Sequence, residues 1–411
     1  MSKDGYKKTE LGYLPFDWDV KRIEAICEIL DSKRVPLNKE QRDNMKGNIP
    51  YYGANGVVDY INEYLFDEDL ILMAEDGGYF DEYRTRHIAY KVKGKSWVNN
   101  HAHVLKVLDS KTYEFIYYTL VHKNILPFIN GGTRAKLNQA DLKKIQIQYP
   151  PLKEQQKIAE ILSSVDAAIE KTEQVIAKTE EVKKGLMQQL LTKGISHTEF
   201  KQTEVGKIPI DWKIEILGEI SSITRLAGAE YTDYWNPIED GNIIALRGYN
   251  IGRNKLILDN VEKISEDLSN KLYRSKLFID DIVFPCVGTI GKAAVIYEDN
   301  KFHINQNIAK ITPNSNIKSE YLAHYLMSDN IRSEILKYNT STSQPNVLVG
   351  NLRKFKIIVP SVNEQQIISG ILNNYDKKLD IEFNRLEILK DIKKGLMQQL
   401  LTGEVRVGSL C

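Results

Sequence analysis

A chain of 411 residues is longer than one ordinary hydrophobic core accommodates, which implies two or three domains. Its 42% hydrophobic and 27% charged residues make a globular composition and exclude a disordered or fibrous chain. The formal net charge of +1 excludes phosphate binding through an overall basic excess. Contact with nucleic acid would need basic residues gathered on one face, or partner subunits that share the phosphates.

Nothing near 18 consecutive apolar residues occurs, so no membrane span is expected. Met1 to Glu10 is polar, with no apolar h-region of a secretory signal. Cys27, Cys286 and Cys411 are scattered without metal-ligand spacing, and two of them read as small core residues. Together these features point to a reducing cytoplasm.

In chain order, the motif Thr-Glu-Leu-Gly-Tyr-Leu-Pro-Phe-Asp-Trp begins at Thr9. Segment 13–150 follows, with strand-like runs at 57–61, 69–75, 87–92 and 103–108 and a helical stretch from Tyr113 to Ile125. A loop, GGTRAKLN (131–138), precedes Pro150 and a long helix over 154–192. Apolar residues at Ile158, Leu162, Val165, Ile169, Ile176, Val182, Leu186 and Leu190 alternate near three and four, and Gly194 stands just past the end. The pattern then starts again. TEVGKIPIDW opens at Thr203, strand-like runs stand at 242–248, 280–288, 292–298 and 308–312, and a helix is expected over Ser319–Lys337. The loop TSTSQPNV (340–347) leads to Pro360 and a second long helix carrying Ile368, Leu372, Tyr375, Leu379, Leu386, Leu389, Leu396 and Leu400, then Gly403.

The restart is a tandem repeat. KKGLMQQLLT occupies 183–192 and again 393–402, an offset of 210 residues. The same offset carries Glu154-Gln155-Gln156 onto Glu364-Gln365-Gln366, and Asp166 onto Asp376. Gly185 and Gly395 interrupt good helix formers at matching positions, and close helix–helix approach is the simplest reason for them. The expected fold class is α+β: two globular mixed α/β domains in tandem, each followed by a long helix. The two helices would pack as an antiparallel coiled coil with pseudo-two-fold symmetry. Its packing positions would be Ile158, Leu162, Val165, Ile169, Leu186 and Leu190, with Ile368, Leu372, Tyr375, Leu379, Leu396 and Leu400.

Catalytic chemistry is missing. Tyr149-Pro150-Pro151 has the wrong order for an amino-methyltransferase loop, and VGTIGK (287–292) lacks phosphate-loop spacing and reads as a tight turn. Asp17, Asp19 and Lys21 loosely resemble a nuclease cluster, which the second copy, reading Asp211, Lys213 and Ile214, does not keep. His101 and His103 lack a zinc-like companion, and packed or surface histidines account for them. No metal site and no cofactor site is expected in this chain. Groups suited to base edges and phosphates sit in the matched loops: Thr133, Arg134, Lys136 and Asn138 in the first, Thr342, Ser343, Gln344 and Asn346 in the second. Arg247 and Lys292 join them, and the stretch 337–356 holds Lys337, Arg353, Lys354 and Lys356 and no acid.

EQQKIAEIL, the KKGLMQQLLTG ending, GANGVVDYI, VNNHAHVL, GTIGKAAV, INQNIAKI and STSQPN, with the duplicated layout, resemble the specificity subunit of type I restriction–modification systems. The resemblance implies target-recognition domains at 1–150 and 197–360, and spacer helices at 151–196 and 361–411. Each domain would read one half of an asymmetric bipartite site in double-stranded DNA. The helices would set the spacing and dock two methyltransferase subunits, with restriction/translocase subunits joining through the complex. S-adenosylmethionine and ATP with Mg would reside on those partners, and the chain itself would be no enzyme. Copy one reads TRAKLN where the family more often has Thr-Gln-Pro, which copy two approaches with Ser343-Gln344-Pro345. The competing reading from the long helices and balanced charge is a coiled-coil scaffold for other proteins.

Overall fold

The computed structural model describes residues 5–131, 135–339 and 346–407. The chain divides into two compact units, Met1–Glu173 with Arg385–Cys411, and Gln174–Asn384. The division runs through both long helices, Leu152–Lys193 and Val362–Leu401, so each unit holds the start of one and the end of the other. Among the described residues no helix is long and apolar enough to cross a membrane.

In the first unit, β1 (Tyr6–Thr9) and β2 (Gly12–Pro15) form an antiparallel hairpin over the opening motif. One four-stranded sheet runs in the order β4 (Cys27–Ile29), β11 (Ala102–Val107), β8 (Leu70–Ala74), β9 (Ala89–Val92). A second runs β6 (Gly56–Ile61), β5 (Lys46–Gly53), β10 (Lys95–Val98), β7 (Phe66–Asp67), with β10 parallel to β5. Strand β8 reads LILMA with every residue buried, so its apolar run is continuous instead of alternating. The short pair β12 (Ile129–Asn130) and β13 (Lys136–Leu137) brackets the first matched loop. Finally β3 (Asp19–Arg22) pairs with β14 (Gln146–Tyr149) just ahead of the helix.

The second unit builds the same plan from different residues. β15 (Phe200–Thr203) and β16 (Gly206–Pro209) repeat the hairpin, and β17 (Lys213–Ile216) pairs with β25 (Lys356–Val359) before the second helix. One sheet runs β18 (Ser221–Arg225), β24 (Ile308–Pro313), β21 (Ile282–Pro285), β22 (Ala294–Val295). The other runs β20 (Glu262–Ile264), β19 (Ile243–Leu246), β23 (Phe302–Ile304), again with a parallel pair, β19 and β23. The helix expected over Ser319–Lys337 is two, Ser319–Leu326 and Asp329–Tyr338. The amides of Met327 and Ser328 turn back onto the carbonyls of His324 and Tyr325 and end the first.

Identical residues in the two copies make identical bonds. Trp18 Nε1 donates to Glu154 Oε2 at 2.9 Å, and Trp212 Nε1 to Glu364 Oε2 at 2.9 Å, tying each opening motif to the first turn of its own helix. Gln155 Nε2 donates to the Pro150 carbonyl at 2.7 Å, and Gln365 Nε2 to the Pro360 carbonyl at 3.0 Å. Within the first unit Asp166 takes Lys393 at 2.6 Å and Glu154 takes Arg406 at 2.8 Å. Within the second, Lys183 pairs with Asp376, and Glu364 accepts from the Ile195 amide at 3.0 Å. In each unit the number falls along one helix as it rises along the other, so the paired helix stretches run antiparallel.

These stretches enter the unit cores. Ile158, Leu162 and Leu400 are buried in the first core, and Leu190, Ile368 and Leu372 in the second. Truncating Leu162 or Leu372 to alanine would cost about 2–5 kcal/mol. Leu379 is also buried, and Val165, Ile169, Leu186, Tyr375 and Leu396 are partly so. Two expectations fail here. Val182, placed on the apolar stripe, is exposed. A Cβ built on Gly185 or Gly395 would meet nothing within 4 Å, so neither glycine serves close helix approach inside the chain. Gly194 and Gly403 do have a local reason. Both adopt positive φ (67° and 72°) just past the helix ends, with Trp212 and Pro15 respectively packed close against them.

Candidate nucleic-acid interface

In each unit the loop before the long helix returns to the end of the buried central strand. Leu137 donates its amide to the Glu75 carbonyl at 2.8 Å, just past β8, and Val347 donates to the Cys286 carbonyl at 2.9 Å, just past β21. Leu137 and Val347 are the same position of the repeat. A second loop arrives from the other side, with Glu75 donating to His101 at 2.9 Å and Cys286 to Asn307 at 2.7 Å. Further bonds draw in the remaining turn: Asn55 Nδ2 to the Gly77 carbonyl at 3.0 Å in one unit, Thr289 Oγ1 to the Gly248 carbonyl at 3.2 Å in the other. Four loops therefore meet at one place in each unit.

The side chains there differ. In the first unit Arg34 Nη1 donates to Glu75 Oε2 at 2.6 Å and to the Ala102 carbonyl at 2.7 Å, while Lys136 Nζ reaches Glu75 Oε1 at 2.8 Å. His103, buried, meets Asp31 Oδ2 at 2.6 Å through Nδ1 and the Leu137 carbonyl at 2.8 Å through Nε2. Burial alone would raise the Glu75 carboxyl, but hydrogen bonds from Lys136 and Arg34 outweigh it and hold it below the usual range. Asp31 is lowered in the same way, with burial opposed by His103. Asp31, Glu75 and His103 bring ligand atoms within 4.8 Å of one another, the donor set a metal would use. Arg34 and Lys136 already supply positive charge to those carboxylates, and the network works as an ion-paired clamp on the loop bases.

In the second unit Glu262 gathers the polar contacts, accepting from Arg247, from Trp235 Nε1 at 2.9 Å and from Asn305 Nδ2 at 2.9 Å. Lys292 is half-buried, and no bond or ion pair engages its ammonium among the described residues. Asn346 donates its amide to Asn339 Oδ1 at 2.9 Å, and Asn138 is exposed at the start of the short helix Gln139–Lys144. Arg353 donates to the Ile223 carbonyl at 2.7 Å, and Lys356 pairs with Glu204. Thr133, Arg134, Thr342, Ser343 and Gln344 lie outside the described residues, as does Cys411.

Sequence reasoning missed Asp31, Arg34, Glu75 and Glu262, whose roles depend on strand pairing across the fold. It also passed over Arg84 and Arg86 in the loop after Gly77–Gly78, where Arg86 sits 4.0 Å from the Tyr79 ring centroid. Basic residues interleaved with Tyr79 and Tyr83 were the available signal. Cys27 and Cys286 are buried, and burial pushes their thiols up to about 12 and about 11, so neither is a nucleophile near neutrality. Asp17, the candidate nuclease carboxylate, is ion-paired to Arg406 at 2.7 Å instead.

The profile of the family described as "Type I restriction modification DNA specificity domain" matches residues 15–181 and again 209–391. The chain belongs to this family. It is 27% identical over 430 residues to the type I restriction enzyme MjaVIII specificity subunit of Methanocaldococcus jannaschii, covering 99% of this chain and 97% of that one. It is 24% identical over 393 residues to the EcoBI specificity subunit of Escherichia coli, covering 90% and 80%. Its fold is similar to the crystal structure of a type I restriction–modification S subunit from M. genitalium, with a TM-score of 0.62 at 18% identity over 93% and 96% of the two chains. A specificity subunit is not itself an enzyme, since methylation belongs to separate subunits of the system. The two family matches fall one on each copy of the repeat, so both four-loop clusters belong to specificity domains.

Proposed function

We propose that the two clusters read the two unequal halves of a bipartite DNA target, and that the long helices set the gap between the halves and dock two methyltransferase subunits. One observation carries this reading: the same two backbone bonds join three loops at the end of the central strand in both units, a side-chain bond draws in a fourth, and each unit presents different side chains. A shared frame with different groups at its tip is what two independent readers of different base sequences require. Restriction subunits join through the methyltransferases, and S-adenosylmethionine and ATP with Mg act on those partners. With a net charge of +1, the chain alone binds DNA weakly and relies on partner surfaces for much of the phosphate grip.

Exchange of segment 13–150 for that of another family member tests the reading. Methylation mapping is expected to show one half-site changed and the other intact, and a change in both halves would refute independent readers. Spacing has its own test, which the ion pairs constrain. Because Asp166 pairs with Lys393 and Lys183 with Asp376, one added turn must enter both helices, between 166 and 183 and between 376 and 393. A turn is about 5.4 Å against about 3.4 Å per base pair, so the gap should lengthen by about one to two base pairs. An unchanged gap in the methylome would sink the helix-length rule.

A further inference from the structure

In each unit one carboxylate faces the opposite long helix and the recognition domain at once. Asp166 directs Oδ1 to Lys393 at 2.6 Å, and its Oδ2 accepts from the Tyr118 hydroxyl at 2.7 Å. Asp376, its repeat counterpart, directs Oδ1 to Lys183, and its Oδ2 accepts from Asn254 Nδ2 at 3.2 Å. The helix side of this joint is identical in the two copies, Asp with Lys. The group offered by the recognition domain is not.

The difference has a traceable cause. The short helices Tyr113–Val121 and Ser319–Leu326 correspond, with Glu114 matching Glu320 and Leu120 matching Leu326, which sets His324 at the place of Tyr118. His324 donates Nε2 to Asn373 Oδ1 at 2.8 Å and stands 3.9 Å from Asp376, so Oδ2 of that carboxylate is met from elsewhere. A turn at 252–255 meets it. Gly-Asn-Ile occurs at 47–49 and 241–243; a Cβ on Gly47 would strike the backbone of Ile61 and Asn62, and one on Gly241 that of Ile264. The same hairpin therefore runs over 48–60 in the first unit and over the longer 242–263 in the second. Its added length carries Asn254, which also donates to Asn373 Oδ1 at 3.0 Å, and Lys255, which reaches Asp380 at 2.5 Å. Asn254 stands at φ 53°, a left-handed conformation that Asn adopts more readily than most residues.

We propose that Tyr118 and Asn254 are positioning residues: through Asp166 and Asp376 they lock each recognition domain to its paired helix stretches, and this lock decides how strictly the gap between half-sites is measured. The proposal rests on the bipartite reading and the helix-length rule above and adds what makes that rule strict. Helix length fixes only where a domain is attached. A site whose gap is one base pair too long asks a reader to move about 3.4 Å and to turn about 35° around the DNA axis. A domain free to tilt on its helix can follow. One whose hydrogen bond ends on a carboxylate already held by the opposite helix must break a charge-assisted bond to do so. Because the reader's group differs from the Lys–Asp pair, each joint can be loosened without touching the pair that holds the helices.

The test takes the full chain assembled with the methyltransferase subunits of its own system. It measures methylation of duplexes that carry both half-sites at the native gap and at gaps one base pair shorter and longer. Tyr118→Phe removes only the hydroxyl, and Asn254→Gly removes the amide at a backbone angle that glycine adopts freely. Each should cut the preference for the native gap at least fivefold and leave the bases of both half-sites unchanged. Leu322→Val, a truncation in the second core, should lower the melting temperature and keep the wild-type gap preference. Joint variants that keep the wild-type preference overturn the proposal. So does a Leu322→Val variant that relaxes it equally, which would mean general loosening, or a joint variant with altered half-site bases, which would mean direct reading. A wild-type complex indifferent to the gap overturns the helix-length rule as well.

Discussion

At the end of β8 the residue that receives Leu137 is Glu75, a carboxylate holding Arg34 and Lys136; at the end of β21 the residue that receives Val347 is Cys286, a buried thiol. The backbone bond is the same and its surroundings are opposite in character. In the first unit the loop bases are clamped by charge, through Asp31, Arg34, Glu75, His103 and Lys136. In the second they rest on an apolar strand end, with the polar contacts displaced to Glu262. The backbone frame therefore tolerates wholesale replacement of the groups around it, as a reader must if its specificity is to change without loss of fold.

The first expected contrast is in stability. Glu75→Gln removes the acceptor charge from Arg34, whose side chain is 12% exposed, and from Lys136. Breaking a largely buried pair from one side costs about 3–5 kcal/mol, and Arg34 keeps Asp31 at 3.6 Å, so about 2–3 kcal/mol is expected. Cys286→Ala leaves only a small void and should cost about 1 kcal/mol. Hydrogen exchange at the amides of β8 and β21 reads the two units separately, and equal losses would erase the contrast.

Acid should separate the units next. His324 is fully buried in the second unit, donates through Nε2 to Asn373 Oδ1 at 2.8 Å, and has no partner for Nδ1 among the described residues. Burial pushes it down to about 4, with Lys183 acting in the same direction and Asn373 and Asp376 opposing. His303 is lowered for the same first reason. A histidine depressed in the fold takes its proton in the unfolded chain first, so stability falls as pH drops from about 6.5 to about 4. For His324 the loss is on the order of 3 kcal/mol. In the first unit, Asp31 and Glu75 are depressed carboxylates, whose contribution is intact above their unfolded values and is lost only as pH falls through their lowered folded ones. The first unit's lowered histidines, His87 and His122, are less buried than His324 and lose less on protonation, so exchange followed from pH 7 to pH 4 should show β21 opening before β8. The reverse order would mean the charged clamp is the weaker device.

Much of this plan was legible in the sequence because repeats report themselves. The two long helices and the strands at 57–61, 69–75, 103–108 and 308–312 stand close to where the sequence pattern placed them. What stayed hidden depends on long-range pairing. Asp31 and Arg34 sit in an unremarkable stretch and gain a role only when β11 and β8 bring His103 and Glu75 to them. The break at Met327–Ser328 was covered by apolar periodicity, although Ser328-Asp329 is the kind of pair that starts a helix. Gly185 reads in the sequence as a point of close helix approach, yet no described residue elsewhere in the chain lies within 4 Å of a Cβ built there.

The smallest expected effect tests whether charge in the two clusters does different work. Lys136 is matched by repeat position with Asn346, and its ammonium is spent on Glu75, whereas Lys292 is engaged by nothing described around it. If Lys292 meets a phosphate in the assembled complex, Lys292→Ala should weaken target binding several-fold, about equally for every sequence. It should also reduce the slope of log affinity against log salt by about 0.9. Lys136→Ala should leave that slope unchanged and lower the stability of the first unit instead, since its partner is internal. Salt titrations of methyltransferase-bound complexes compare the two directly. An unchanged slope for Lys292→Ala beside a reduced one for Lys136→Ala would show that the Glu75 pair opens on DNA, making the charged clamp of the first unit part of the reader and not only its support.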